Sequence, residues 1–186
     1  MKKEGTFIEA LSAILVKHHV FAKKEEAALI KAFKDSSADY FEEFLIDEGL
    51  VDDINVIRAL GEYFQVPTTD VVGHFFDHSL LRMFPKSFLL SKGVIPFEVD
   101  EESMVVVAAD PADQSLLPEL GEYVSYDIRF TVGLRRHICD AVKEFYDEAL
   151  TQEVRDLDIE EKLRQKNEAL QIKRDKIVDI YDEESE

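Results

Sequence analysis

Apolar residues recur along the first third of the chain with the three-and-four spacing of amphipathic helices, interrupted by polar turns. Phe7, Ile8, Leu11, Ile14 and Leu15 share one helical face, and Ala28, Leu29, Ala32 and Phe33 share another. Lys34-Asp35-Ser36-Ser37 then supplies cap residues before a third helix carrying Phe41, Phe44 and Leu45. That helix stops at Gly49, the residue type that best tolerates the left-handed backbone closing a helix. Asp52 or Asp53 caps a fourth helix containing Val56, Ile57, Leu60 and Phe64. Val66-Pro67 ends it, because a residue before proline is driven out of helical geometry. Within these helices, Ile14-Leu15-Val16-Lys17-His18-His19-Val20-Phe21 lines up with Phe44-Leu45-Ile46-Asp47-Glu48-Gly49-Leu50-Val51. Each is an apolar helix end, two polar residues, a turn position and two apolar residues, so one helical hairpin is duplicated.

Residues 68–92 are transitional, with short helices expected over Asp77–Phe84 and Pro85–Ser91, the latter with proline at its first position. From Val94 the period changes to two. Val94, Ile95, Phe97 and Val99 form one strand, Asp100–Ser103 a turn and Met104–Ala109 a second strand, which pair as a hairpin. Asp110-Pro111-Ala112-Asp113 is expected to start a helix running to about Glu122. Ile128, Phe130 and Val132 alternate as a third strand, and Leu134–Leu150 is helical with Ile138, Val142 and Phe145 inward. The pattern predicts an α+β protein: a helical subdomain over 1–67, a small three-stranded α/β subdomain (β-β-α-β-α) over 68–150, and a charged helix with an acidic tail over 151–186. Leu163, Leu170 and Ile177 repeat every seven residues in that last stretch. The alternate seam positions are mostly polar, which favours a solvated helix over a strong coiled coil and leaves homo-oligomerisation through it as an option.

Charge narrows the partners. The 186 residues include 40 acidic and 22 basic side chains, a formal charge of −18. Nucleic acid is excluded as a partner, since phosphate binding depends on Lys and Arg displacing counterions, and an anionic membrane surface alone is an equally poor dock. No apolar run approaches the roughly 20 residues of a bilayer span, so direct membrane insertion is not expected. No signal peptide is readable, because Glu9, Lys17, His18 and His19 interrupt the stretch after Met1-Lys2-Lys3. With one cysteine, Cys139, no intrachain disulfide forms. A cytoplasmic protein is expected.

Several segments carry a family resemblance. Phe44-Leu45-Ile46-Asp47-Glu48-Gly49-Leu50-Val51 resembles the "ILVEEGLI" pattern in the N-terminal domain of type II secretion and type IV pilus assembly ATPases, the MSHA-biogenesis type included. Gly93-Val94-Ile95-Pro96-Phe97 resembles that family's "V-x-P" strand. Met104-Val105-Val106-Val107-Ala108-Ala109-Asp110-Pro111-Ala112-Asp113 resembles its "LTVAMADPxD" strand-to-helix turn, the most specific of the three. The similarity runs from about Ile8 to Leu150 and implies a helical subdomain followed by an α/β one. It also implies a partner class, the cytoplasmic or inner-membrane platform proteins of a secretion or pilus machine, with peripheral attachment through such a partner.

The family's motor domain is not in this sequence: it has 7 Gly and no G-x-x-x-x-G-K-[ST] to cradle a triphosphate. Some members bind cyclic di-GMP through a duplicated motif that begins Arg-Leu-Gly and ends in Gln. Here Ala10-Leu11-Ser12 and Tyr40-Phe41-Glu42 stand at the first positions, and Tyr63 stands where Gln is expected. If a nucleotide binds, Leu11, Tyr40, Phe41 and Tyr63 are the residues to contact it, with the aromatics stacking on a base. Losing Arg and gaining Glu opposes a dianionic ligand, and packing explains the aromatics as well.

No other chemistry is legible. His74 and His78 have the spacing of a helical metal pair, yet Gly73 and the lack of a third ligand argue for surface or cap residues. His18 and His19 read as turn residues. Asp110 and Asp113 fit a helix start better than a catalytic pair. No catalytic residue, cofactor or metal site is expected. The sequence reads as a non-catalytic docking or regulatory module that binds a protein partner, with a nucleotide sensor as the alternative.

Overall fold

The computed structural model describes residues 5–147 and Arg164. The seven-residue repeat at Leu163, Leu170 and Ile177 and the acidic tail lie outside the described residues. Met1–Lys143 is one compact unit and Glu144–Glu186 a second.

Four helices open the chain: α1 (Gly5–Lys17), α2 (Lys23–Asp35), α3 (Phe41–Asp47) and α4 (Asp53–Phe64). Their inward stripes form one apolar cluster containing Phe7, Ile8, Leu11, Leu15, Phe33, Phe41, Phe44, Leu45, Val56 and Leu60. Val132 and Leu134 belong to the same cluster, so the helical core runs into the end of the sheet. Burying side chains of this size contributes about 1.5–3 kcal/mol each.

The hairpin duplication is visible bond by bond. In the first turn His18, His19 and Val20 donate backbone N–H to the carbonyls of Ile14, Val16 and Leu15, each at 3.0 Å. Thirty residues on, Glu48, Gly49 and Leu50 donate to Phe44, Ile46 and Leu45 at 3.1, 2.9 and 2.9 Å. The central residues share the left-handed conformation, φ 58° at His19 and 65° at Gly49. Extended N-caps follow both turns. Asp52 accepts from the Asn55 N–H at 2.7 Å, whereas Ala22 has no side-chain acceptor and its own N–H donates to Glu25 Oε2 at 2.7 Å.

After two short helices, α5 (His78–Leu81) and α6 (Lys86–Lys92), come β1 (Val94–Val99), β2 (Ser103–Ala108), α7 (Leu116–Leu120), β3 (Asp127–Val132) and a final helix α8 from residue 135, described to 147. The sheet order is β1-β2-β3. β1 and β2 pair antiparallel, as the turn signals predict, with an irregularity between Pro96 and Glu98; proline has no N–H to donate to a ladder. β2 and β3 pair parallel from Ser103↔Asp127 to Ala108↔Val132. Segment 67–69 seals the far side of β3: Val132 N–H donates to Pro67 O and Thr69 N–H to Val132 O, both at 2.9 Å. On α8, Ile138, Val142 and Phe145 are buried, as their spacing requires.

Three sequence expectations need correction. The helix expected from Asp110 to about Glu122 shrinks to Leu116–Leu120. Pro118 tolerates a helix only in its first turn, where no intrahelical donor is missed. Asp110 and Asp113 instead accept from the N–H groups of Ala112 and Ser115 in successive Asx turns. The helix expected over Asp77–Phe84 is the single turn His78–Leu81, capped by Asp77. Pro85 is the N-cap of α6 rather than its first residue.

Candidate functional site

The two repeat turns meet at a concavity. An apolar groove of about 540 Å³ is lined by Val20, Phe21, Ala28, Leu29 and Leu50, with Lys24 and Glu25. Val20 and Leu50 are the equivalent residues of the two repeats, each directly after its left-handed position. Leu29 is half-buried and Leu50 is 42% exposed, although both are large aliphatics. The α2 face explains the shape. Of its apolar residues only Phe33 is fully buried, whereas α4, its counterpart, buries Val56, Ala59, Leu60 and Gly61.

The residues expected to meet a nucleotide lie apart from this groove. Leu11 and Phe41 are wholly within the helical core, Phe41 edge-on to Phe33 at 5.2 Å. Tyr63 is half-buried between Phe7 and Phe64, with ring centroids 5.0 and 4.8 Å away. Tyr40 lies under the Arg135 guanidinium, 4.8 Å from its ring centroid. At the position after Phe41, Glu42 is 6% exposed and its Oε2 has no hydrogen-bond partner. Burial raises its affinity for a proton, against the pull of Arg135. Ser12, the repeat equivalent of Glu42, is also buried with an unpartnered hydroxyl.

Sequence reasoning missed the junction between the helices and the sheet. The first turn of α8 places three consecutive basic residue types, Arg135, Arg136 and His137, against the α3–α4 hairpin. Arg135 stacks on Tyr40 and packs against Gly93, where an added Cβ would lie 2.6 Å from its Nη1. Arg136 Nη1 pairs with Asp47 Oδ1 at 2.9 Å. His137 Nε2 is 3.0 Å from Asp53 Oδ2, and its Nδ1 is 3.3 Å from Asp70 Oδ1 without the alignment of a hydrogen bond. Burial raises Glu43 and Asp110, while Arg135 lowers both. A second basic triplet behaves alike: Lys17 Nζ and His18 Nε2 each reach Glu62 at 2.6 Å and hold its carboxyl below the usual range, Lys17 first. In so acidic a chain, Lys17-His18-His19 and Arg135-Arg136-His137 were the available signal.

The remaining sequence candidates resolve simply. His74 is not helical; its ring stacks on Phe97 at 4.1 Å, so it and His78 do not share a helix face. Among the described residues no three His, Cys, Asp or Glu converge as a metal site. Cys139 is half-buried, and burial pushes its thiol up, away from the reactive thiolate. No helix among the described residues is long and apolar enough to cross a membrane.

A four-helix repeat layer joined to a small mixed sheet defines an α+β module with an apolar groove on its helical part. Residues 64–152 match the MshEN domain family. No curated protein matches the chain in sequence. Among solved structures, "Structure of MshE with cdg" is similar with a TM-score of 0.59 at 16% identity, covering 73% of this chain and 98% of that one. The N-terminal domain of XpsE is similar with a TM-score of 0.52 at 17% identity, covering 73% and 92%. At these identities the likeness is one of fold. The resemblance to the N-terminal domains of type II secretion and type IV pilus assembly ATPases therefore holds at the level of fold: residues 64–152 match the MshEN domain and the chain has the fold of those modules.

Proposed function

We propose that this chain is a non-catalytic cytoplasmic docking module of a type II secretion or type IV pilus machine, binding a cytoplasmic or inner-membrane platform protein through the groove between its repeat turns. The observation that carries this reading is the groove itself: an apolar face of α2 left open beside Leu50, with Lys24 and Glu25 on it. Apolar burial supplies the affinity, and Lys24 and Glu25 beside the apolar face fix the partner's register. Leu29→Glu combined with Leu50→Glu places two charges on the groove at side chains that are only partly buried. Titrating purified platform-protein cytoplasmic domains into the wild type and this variant is the test. A loss of at least about tenfold, with unchanged circular dichroism, supports groove docking; equal affinity overturns it.

A second reading has one observation behind it: the fold is shared with an MshE structure that contains cdg, read as cyclic di-GMP. Against it, Leu11 and Phe41 are core, Arg135 covers Tyr40, and Glu42 would set a carboxylate against a dianion. Calorimetric titration with cyclic di-GMP separates the readings, sub-micromolar binding being the outcome that favours a sensor.

A further inference from the structure

The segment between α4 and α5 presents apolar side chains to water from a fixed loop. Phe75 is 97% exposed and Val72 65%, the two most exposed large hydrophobic side chains outside the helices among the described residues. Their neighbours point the other way. Val71 is buried, and the Val71 carbonyl accepts from the His74 N–H at 3.3 Å across Gly73, whose φ of 71° makes the bend. The His74 ring stacks on Phe97 and meets the edge of Phe76 at 4.7 Å. Asp70 accepts from the Val72 N–H at one end of the loop, and Asp77 accepts from the Ser79 N–H and hydroxyl at the other. The loop is thus pinned at Val71, His74 and both aspartates, and the same pins turn Val72 and Phe75 outward. A loop that only needed solubility would carry polar residues there.

Charge identifies what covers it. No Lys or Arg occurs between Arg58 and Arg82, and Asp70 and Asp77 flank the apolar pair. An anionic bilayer repels such a surface, and a second copy of a chain with a formal charge of −18 brings the same sign. We propose that Phe75 and Val72 form a docking knob that inserts into an apolar pocket rimmed by Lys or Arg on a folded protein partner. This rests on the docking reading above but uses a surface that shares no residue with the groove. Because the loop is already ordered, little conformational entropy opposes insertion.

The test places a photoactivatable phenylalanine analogue at position 75, and separately at position 29 in the groove, in the full chain inside cells of its source. The expected result is one discrete product from position 75 whose cross-linked partner peptide carries Lys or Arg. Phe75→Ala should then weaken that purified partner about thirtyfold, the loss of one hot-spot aromatic worth about 2 kcal/mol, while Phe75→Leu retains most of the affinity. A product at 29 but none at 75 overturns the knob and leaves groove docking standing; no product at either position removes both. Affinity within about twofold for Phe75→Ala, a product formed only with a second copy, or flotation of the chain with phosphatidylcholine vesicles that depends on Phe75 would each overturn it too.

Discussion

His19 holds a left-handed backbone at φ 58° where its repeat counterpart is Gly49. A side chain in that region costs about 1 kcal/mol, which glycine avoids. His19→Gly should therefore raise stability by about 0.5–1 kcal/mol in urea denaturation, and the neighbouring His18–Glu62 pair remains in place. Glu42 behaves in the opposite sense to a stabilising carboxylate. Its folded form holds a proton to higher pH than an unfolded Glu, chiefly through burial. The folded state thus binds more protons across that window, so this contribution is fully present below the ordinary Glu range and is lost as pH rises through the raised value. Glu42→Gln removes the ionisation and should be more stable than wild type by about 1 kcal/mol at neutral pH, with the gap closing in acid. Urea melts over a pH series check both the sign and the convergence. Asp100 runs the other way: the Ser103 hydroxyl and backbone N–H hold it down to about 2, so its contribution disappears as pH falls from the ordinary Asp range through that value.

At the scale of elements, periodicity and turn chemistry located nearly every helix and strand, because those signals are local. Gly49 closes α3 and Asp52 caps α4 as read from the sequence. Where the reading overran, the cause was also local but competed with a stronger-looking cue: Pro118 limits α7 despite the Asp-Pro start signal at 110–111. What could not be read was the pairing of distant side chains. Nothing in the spacing says that Arg135 will cover Tyr40 or that Arg136 will reach Asp47, 89 residues away. The groove was equally hidden, since Val20, Leu29 and Leu50 become neighbours only once the two hairpins pack. The first turn of α8 makes a contrast that can be measured. Arg135 is packed on Tyr40 and against Gly93, and it is the cation felt by Glu42, Glu43 and Asp110. Arg135→Ala should cost about 2 kcal/mol. Arg136→Ala breaks an exposed pair with Asp47 and removes a weaker pull on Glu43 than that of Arg135, and should cost under about 0.5 kcal/mol. Thermal melts of the two variants side by side settle the ranking.

Over the whole of Met1–Lys143, the helical cluster and the sheet share a core at Val132 and Leu134, and the basic first turn of α8 lies at the same boundary. Docking at the repeat turns and at the Phe75 loop would therefore act on one cooperative body. The sealing of β3 by residues 67–69 bears on how that body assembles. The β1–β2 hairpin closes a short stretch and can form early, whereas β3 must find β2 in parallel and also meet a segment from before the hairpin. Its arrival joins Thr69 to Val132 across a long chain separation, the kind of closure that slows folding. The amides of Thr69 and Val132 should thus be the last to gain protection from deuterium exchange during refolding, and a ribosome still synthesising the chain cannot complete the sheet until Val132 has cleared the exit tunnel.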